Sequence, residues 1–131
     1  MNQRMKNLKN EVKKGNLRAA LSLAEAFKWG ECGESDPRRA AGMYRICCKA
    51  KDKKLASQGY YNLGLLYYFG YLNENGEGDP HRAFDCFLQS AILSPTKEVL
   101  CRLGDMYRYG QYVERDESRA LSFYLKANQI A

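Results

Sequence analysis

The sequence predicts an all-α protein, a solenoid of three stacked helix pairs with one further helix ahead of them. Three observations lead there. Apolar residues recur every three to four positions, and the period-two alternation of a half-buried strand is absent. A pattern of leucine, glycine and aromatic residues returns at a fixed spacing of forty positions. After each copy comes a second segment that opens on aspartate. One such helix pair cannot bury its own apolar face, but about three stacked pairs can.

Residues 1–15 form the first element. Met1, Met5, Leu8 and Val12 recur at four, three and four positions, which gives one apolar stripe opposite a lysine-rich face. Gly15-Asn16 then breaks the helix. The segment reads as an N-terminal capping helix that packs on the first repeat. Arg4, Lys6, Lys9, Lys13 and Lys14 crowd it, with Glu11 the only acid among the first fourteen residues, so the net charge of +6 is partly a property of this end. A basic arm for nucleic acid or an acidic surface is the alternative reading of the same residues.

The repeats occupy residues 16–131, divided at about 16–53, 54–94 and 95–131. Helix A of each contains "LSLAEAFKWG" (21–30), "YNLGLLYYFG" (61–70) or "CRLGDMYRYG" (101–110). Leu23, Leu63 and Leu103 share one register, as do Phe27, Tyr67 and Tyr107, and Gly30, Gly70 and Gly110. Ala24, Gly64 and Gly104 follow the leucines. Glycine inside a helix costs about 1 kcal/mol against alanine, so Gly64 and Gly104 predict a close approach between helix A and its helix B. The glycines at 30, 70 and 110 end helix A, where a left-handed residue closes the turn.

Helix B begins at Asp36, Asp79 and Asp116, each an N-cap that accepts from otherwise unpaired N–H groups. Pro37 and Pro80 sit in the first turn, where the missing N–H costs nothing. Ala40, Ala83 and Ala120 then lead to Tyr44, Phe87 and Tyr124, four residues on and on the same face. The middle loop, "YLNENGEGDP", is three residues longer than its counterparts and is expected to protrude.

The pattern Leu-Gly-x-x-Tyr-x-x-Gly followed by an Asp-x-x-Arg-Ala helix start resembles the Sel-one-like repeat, a cousin of the tetratricopeptide repeat, over residues 15–131. The third copy matches at Leu103, Gly104, Tyr107, Gly110, Val113, Asp116, Ala120 and Tyr124. The second keeps Leu63, Gly64, Tyr67, Gly70, Ala83 and Ala91. The first departs most, with Ala24 for glycine, Phe27 for tyrosine and Gly33 where valine is expected. The resemblance implies a right-handed superhelix of antiparallel helix pairs and a protein–protein interaction module as its function.

Helix A has two faces. One recurs in type (Ala20, Leu23, Ala24 and Phe27 in the first repeat) and is the packing face. The other varies. In tetratricopeptide-like arrays those register positions line the concave, ligand-binding surface. The resemblance therefore assigns Lys28 and Trp29, then Tyr61, Leu65, Tyr68 and Phe69, then Asp105, Arg108 and Tyr109 as candidate partner contacts. Trp29, Phe69 and Tyr109 would form a ladder beside a second row of Lys28, Tyr68 and Arg108. Aromatics offer contact area, and cations can hold acidic groups or a C-terminal carboxylate. Filling space between neighbouring helices A is the alternative for Trp29, Phe69 and Tyr109, whereas Lys28, Tyr68 and Arg108 are expected at the surface.

Catalysis is not expected. His81, the only histidine, falls in the first turn of a helix, and "NGEGDP" lacks the lysine and spacing of a phosphate-binding loop. Glu25 and Asp105 lie two repeats apart. The five cysteines (Cys32, Cys47, Cys48, Cys86, Cys101) are an odd number without zinc-site spacing, so reduced thiols and a cytoplasmic location are expected. No run nears 18 apolar residues, so no membrane span is expected. No metal, cofactor or small-molecule substrate is called for. The expected partner is a protein or peptide. A homodimer through the C-terminal end is a further expectation, because Leu121, Tyr124 and Leu125 would leave an apolar outer face.

Overall fold

Every helix begins where a side-chain oxygen takes up an orphan backbone N–H. The computed structural model describes residues 2–31 and 33–130, and among these it contains seven helices and no strand. They are α1 (Gln3–Lys13), α2 (Leu17–Trp29), α3 (Pro37–Cys48), α4 (Lys53–Tyr68), α5 (Pro80–Leu93), α6 (Lys97–Tyr109) and α7 (Glu117–Asn128). The caps are Asn2, Asn16, Asp36, Asp52, Asp79, Thr96 and Asp116 in turn, each accepting from the N–H three residues ahead. The helices pack as the pairs α2/α3, α4/α5 and α6/α7; α1 lies on α2, and the pairs stack through α3 on α4 and α5 on α6. The architecture is the all-α helical repeat that the forty-residue spacing predicts.

Within a pair, an aromatic ring of helix B covers the small residue of helix A. A Cβ on Gly64 would stand 2.7 Å from Phe87 Cε1, and one on Gly104 would stand 2.7 Å from Tyr124 Cε1. In the first repeat Ala24 and Tyr44 are both wholly buried in one core cluster, so a methyl is accommodated there. The glycines therefore admit a ring where a side chain would keep the two helices apart.

The turn between helices A and B is built alike three times. Gly30, Gly70 and Gly110 take φ of 69°, 77° and 66°. The next N–H donates to the carbonyl five residues back, from Glu31 to Ala26, Tyr71 to Leu66 and Gln111 to Met106, at 2.9–3.0 Å. Then the N–H of the capping aspartate donates to the carbonyl of the helix A aromatic: Asp36 to Phe27 and Asp79 to Tyr67 at 2.8 Å, Asp116 to Tyr107 at 2.9 Å. The same aspartates pair with Arg39, Arg82 and Arg119 at 3.4, 3.8 and 3.4 Å. Each guanidinium also lies 5.6–5.8 Å from the ring centre of that aromatic, Phe27, Tyr67 or Tyr107. The longer middle loop makes the same closing bond, and its residues Asn73–Gly78 project into solvent.

Between pairs, α4 crosses α3 at Gly59, where a Cβ would meet Cys47 Cβ at 2.8 Å and the Tyr44 carbonyl oxygen at 2.9 Å. Ala19 and Val99 hold the equivalent position in α2 and α6, and α5 and α6 touch less extensively than α3 and α4. Inside the middle pair two buried serines clasp α4 to α5: Ser57 Oγ donates to the Ser90 carbonyl, and Ser90 Oγ to the Ser57 carbonyl, both at 2.9 Å.

These contacts give one chemical change two opposite signs. Gly59→Ala must displace backbone and is expected to destabilise by about 1–3 kcal/mol. Gly42 in α3 has ordinary helical geometry, and nothing lies within 4 Å of the place a methyl would take. Gly42→Ala is therefore expected to stabilise by about 0.5–1 kcal/mol through helix propensity alone. Urea unfolding of the two variants checks both signs.

Candidate functional site

The C-terminal ends of α2, α4 and α6 carry the residues assigned to the variable face, and their exposure divides them. Trp29, Phe69 and Tyr109 stand in solvent at 74%, 50% and 63% of full exposure. All three occupy the position just before the helix-ending glycine, so the forty-residue register spaces them along the array. A cation lies over each ring: Lys28 Nζ 5.2 Å from Trp29, the Arg102 guanidinium 5.4 Å from Phe69, and the Arg108 guanidinium 5.3 Å from Tyr109. Two of these cations are on the same helix as the ring. Arg102 comes from the following repeat and does not stand out in the sequence pattern.

The remaining residues of that face are occupied in the fold. Tyr61, Leu65 and Tyr68 are half-buried against the core that Phe87 and Leu103 help to form. Tyr68 corrects the expectation that it stands at the surface: its ring lies 6.2 Å from Phe87 and its hydroxyl donates to Gln111 Oε1 at 2.8 Å, which ties α4 to the third repeat's loop. Asp105 accepts a hydrogen bond from the Tyr124 hydroxyl. Glu25 holds the matching place in the first repeat, where Oε1 accepts from Tyr44 at 2.8 Å and Oε2 accepts from Trp29 Nε1 at 3.1 Å. Burial, reinforced by these carboxylates, pushes both tyrosine hydroxyls up, that of Tyr124 to about 12. In the middle repeat the pair is Leu65 and Phe87, so the acid and the phenol are replaced together. Beside Trp29, an open cleft of about 280 Å³ is lined by Lys28, Ser35, Pro37, Leu66 and Tyr71.

The N-terminal helix buries Met5 and half-buries Leu8 and Val12 on α2, while Lys6, Lys13 and Lys14 face solvent. Met1, which the sequence places on the same stripe, lies outside the described residues, as do Cys32 and Ala131. Arg4 pairs with Glu31, whose carboxyl is held below its ordinary range by hydrogen bonds from Arg4 and Asn2. At the other end, Leu121 and Leu125 of α7 are more than half exposed, and Arg108, Leu121 and Tyr124 line an open cleft of about 270 Å³.

Among the described residues, no group of three His, Cys, Asp or Glu side chains is placed to hold a metal ion, and no helix is long and apolar enough to cross a membrane. His81 stacks on Tyr112 at 4.4 Å and pairs with Asp85 at 3.3 Å. Tyr112 itself takes a left-handed φ of 67°.

Stacked helix pairs with a register-spaced row of exposed aromatics define a helical-repeat scaffold. The Sel1 repeat profile matches three segments, residues 17–52, 57–94 and 98–129, and the chain belongs to that family. The family is a non-catalytic repeat scaffold, and its members in general mediate protein–protein interaction. No curated protein matches the chain significantly. In structure it is similar to a Sel1 repeat protein from Oxalobacter formigenes (TM-score 0.76, 18% identity, 95% of this chain and 48% of that one). A Sel1 repeat protein from Klebsiella pneumoniae subsp. pneumoniae is also similar (TM-score 0.62, 21% identity, 95% of this chain and 60% of that one). The chain thus spans about half to three-fifths of the length of these two proteins.

The cysteines give a further chemical expectation. Burial pushes the thiols of Cys47, Cys48 and Cys86 from an ordinary value near 9 up to about 11, 12 and 11. The thiolate is the reactive form, so iodoacetamide at pH 8 should alkylate half-buried Cys101 well before these three, as peptide mass spectrometry would read out. Above about pH 9 the unfolded chain releases thiol protons that the folded chain retains, so stability should fall as pH rises from there toward 11. Equal labelling of all four sites in the native protein would contradict this burial.

Proposed function

We propose that the chain is a protein–protein interaction module whose partner segment lies across the ends of α2, α4 and α6. In this reading residues 1–15 cap the array and residues 16–131 supply three repeats. The observation that carries it is the row of Trp29, Phe69 and Tyr109, each exposed at the same register and each under a cation. Large aromatic surfaces on rigid elements supply contact area at little entropic cost, and cations beside them favour acidic groups on the partner. Lys28 and Arg108 contact that segment directly. Tyr61, Leu65, Tyr68 and Asp105 support the row from below through core packing and the Tyr124 bond.

The triple variant Trp29→Ala, Phe69→Ala and Tyr109→Ala removes three exposed groups, and such changes typically cost within about 0.5 kcal/mol each. Its expected phenotype is a nearly unchanged melting temperature together with loss of the proteins that the wild-type chain captures from its host cells. Unchanged capture would overturn the assignment of the row. A collapse in stability would make these residues part of the packing.

Self-association is a second reading, supported by exposed Leu121 and Leu125 on α7 beside the cleft lined by Tyr124. Light scattering over rising concentration would then report a mass approaching two chains for the wild type and one for Leu121→Glu/Leu125→Glu. A single-chain mass for the wild type at high concentration would remove this reading.

A further inference from the structure

We infer that the cleft enclosed by α1, α2 and α3 is a second docking site, which takes an acidic peptide segment anchored by one bulky apolar side chain. The cleft has a volume of about 430 Å³ and shares no residue with the aromatic row. Its floor is apolar, from Val12 of α1, Leu23 and Phe27 of α2, and Gly42 and Met43 of α3. Its rim is cationic, from Lys9 and Lys13 of α1 and Arg39 of α3, and it carries no acidic side chain.

Gly42 is the feature that folding leaves unexplained. Gly15, Gly30, Gly33, Gly70, Gly76 and Gly110 have positive φ, and a Cβ on Gly59, Gly64, Gly78 or Gly104 would collide with a neighbour. Gly42 alone has neither reason, yet it sits inside a helix, where glycine is less favourable than alanine. The equivalent positions in the other repeats hold Asp85 and Ser122. What Gly42 does provide is an open floor, since any larger side chain there would project into the cleft.

The rim identifies the occupant's charge. Lys9 and Lys13 lie one turn apart on α1 beside Val12, and neither has a carboxylate partner among the described residues. Arg39 faces them from α3, where it pairs with Asp36 at 3.4 Å. Cations on two separate helices, around an apolar floor, match several carboxylates flanking one apolar group better than a single anionic head group. The volume falls within the range of about 300–1,000 Å³ typical of ligand pockets.

Amide chemical-shift mapping of the whole chain tests this, with acetyl-Glu-Glu-Phe-Glu-Glu-amide as the probe. Saturable shifts are expected at Val12, Gly42 and Met43. Gly42→Leu, which fills the floor without backbone strain, is expected to weaken binding at least about tenfold while the spectrum stays dispersed. Lys9→Glu/Lys13→Glu gives the same loss by charge, and decides the matter should Gly42→Leu fail to fold. Equal binding of the peptide with alanine in place of phenylalanine would overturn the anchor. Shifts confined to Trp29, Phe69 and Tyr109 would place the peptide on the row and remove the cleft as its site, leaving the row itself supported. Binding of sodium decanoate with the peptide silent would make the cleft an amphiphile pocket and overturn the inference.

Discussion

One hydrogen bond per repeat sets the geometry on which the rest depends: the N–H of the aspartate that caps helix B donates to the carbonyl of the aromatic near the end of helix A. The aspartate's carboxylate meanwhile caps helix B and pairs with an arginine, and that arginine lies over the same aromatic. Taken singly, these are modest terms, about 1 kcal/mol for the cap, up to about 1 for an exposed ion pair and about 0.5–1 for the cation over the ring. Their importance comes from sharing residues. Because Asp, Arg and aromatic are joined in one knot, the turn between helices A and B closes in the same way each time. With the turn so closed, the rings of Phe87 and Tyr124 come down onto Gly64 and Gly104, and Tyr44 shares a core cluster with Ala24. The same closure leaves Trp29, Phe69 and Tyr109 at matching positions outside.

Much of this knot is written in local sequence. Asp36, Asp79 and Asp116 are legible as caps and Gly30, Gly70 and Gly110 as turn closers, because capping depends on residues within one helical turn. The close approach at Gly64 and Gly104 is legible too, since an internal glycine in a helix asks for a steric reason. Contacts that depend on register between distant segments are not. Gly59 escapes notice because Ala19 and Val99 at the equivalent positions carry no pattern. Tyr68 reads as a surface residue from helix A alone, since its partner Gln111 lies 43 residues away in a loop. Arg102 over Phe69 and the cleft around Gly42 are likewise products of packing between elements.

The three repeats are not copies in how they hold the row. Trp29 is fixed through Glu25 to the buried Tyr44, a chain of two hydrogen bonds that reaches from solvent to core. Asp105 meets Tyr124 in the third repeat, where Arg108 covers Tyr109. The middle repeat replaces phenol and acid with Phe87 and Leu65, and holds Phe69 by contacts that cross to the third repeat instead. Each ring of the row is thereby held by neighbouring side chains, and in the proposed reading such preorganisation lowers the entropy lost on binding.

The middle loop has a consequence for how such a chain can change. Its ten residues from Gly70 to Asp79 end in the same Asp-to-aromatic bond that closes the seven-residue loops of the other repeats. The closing bond therefore tolerates extra length between the two ends of the loop, and the added residues find contacts of their own, Leu72 on the first core cluster and Glu74 with Arg38. Entropy penalises such lengthening only slowly. A position of this kind is a port in the architecture, where new sequence can be admitted and tried against the surroundings while the pitch of the helices stays as it was.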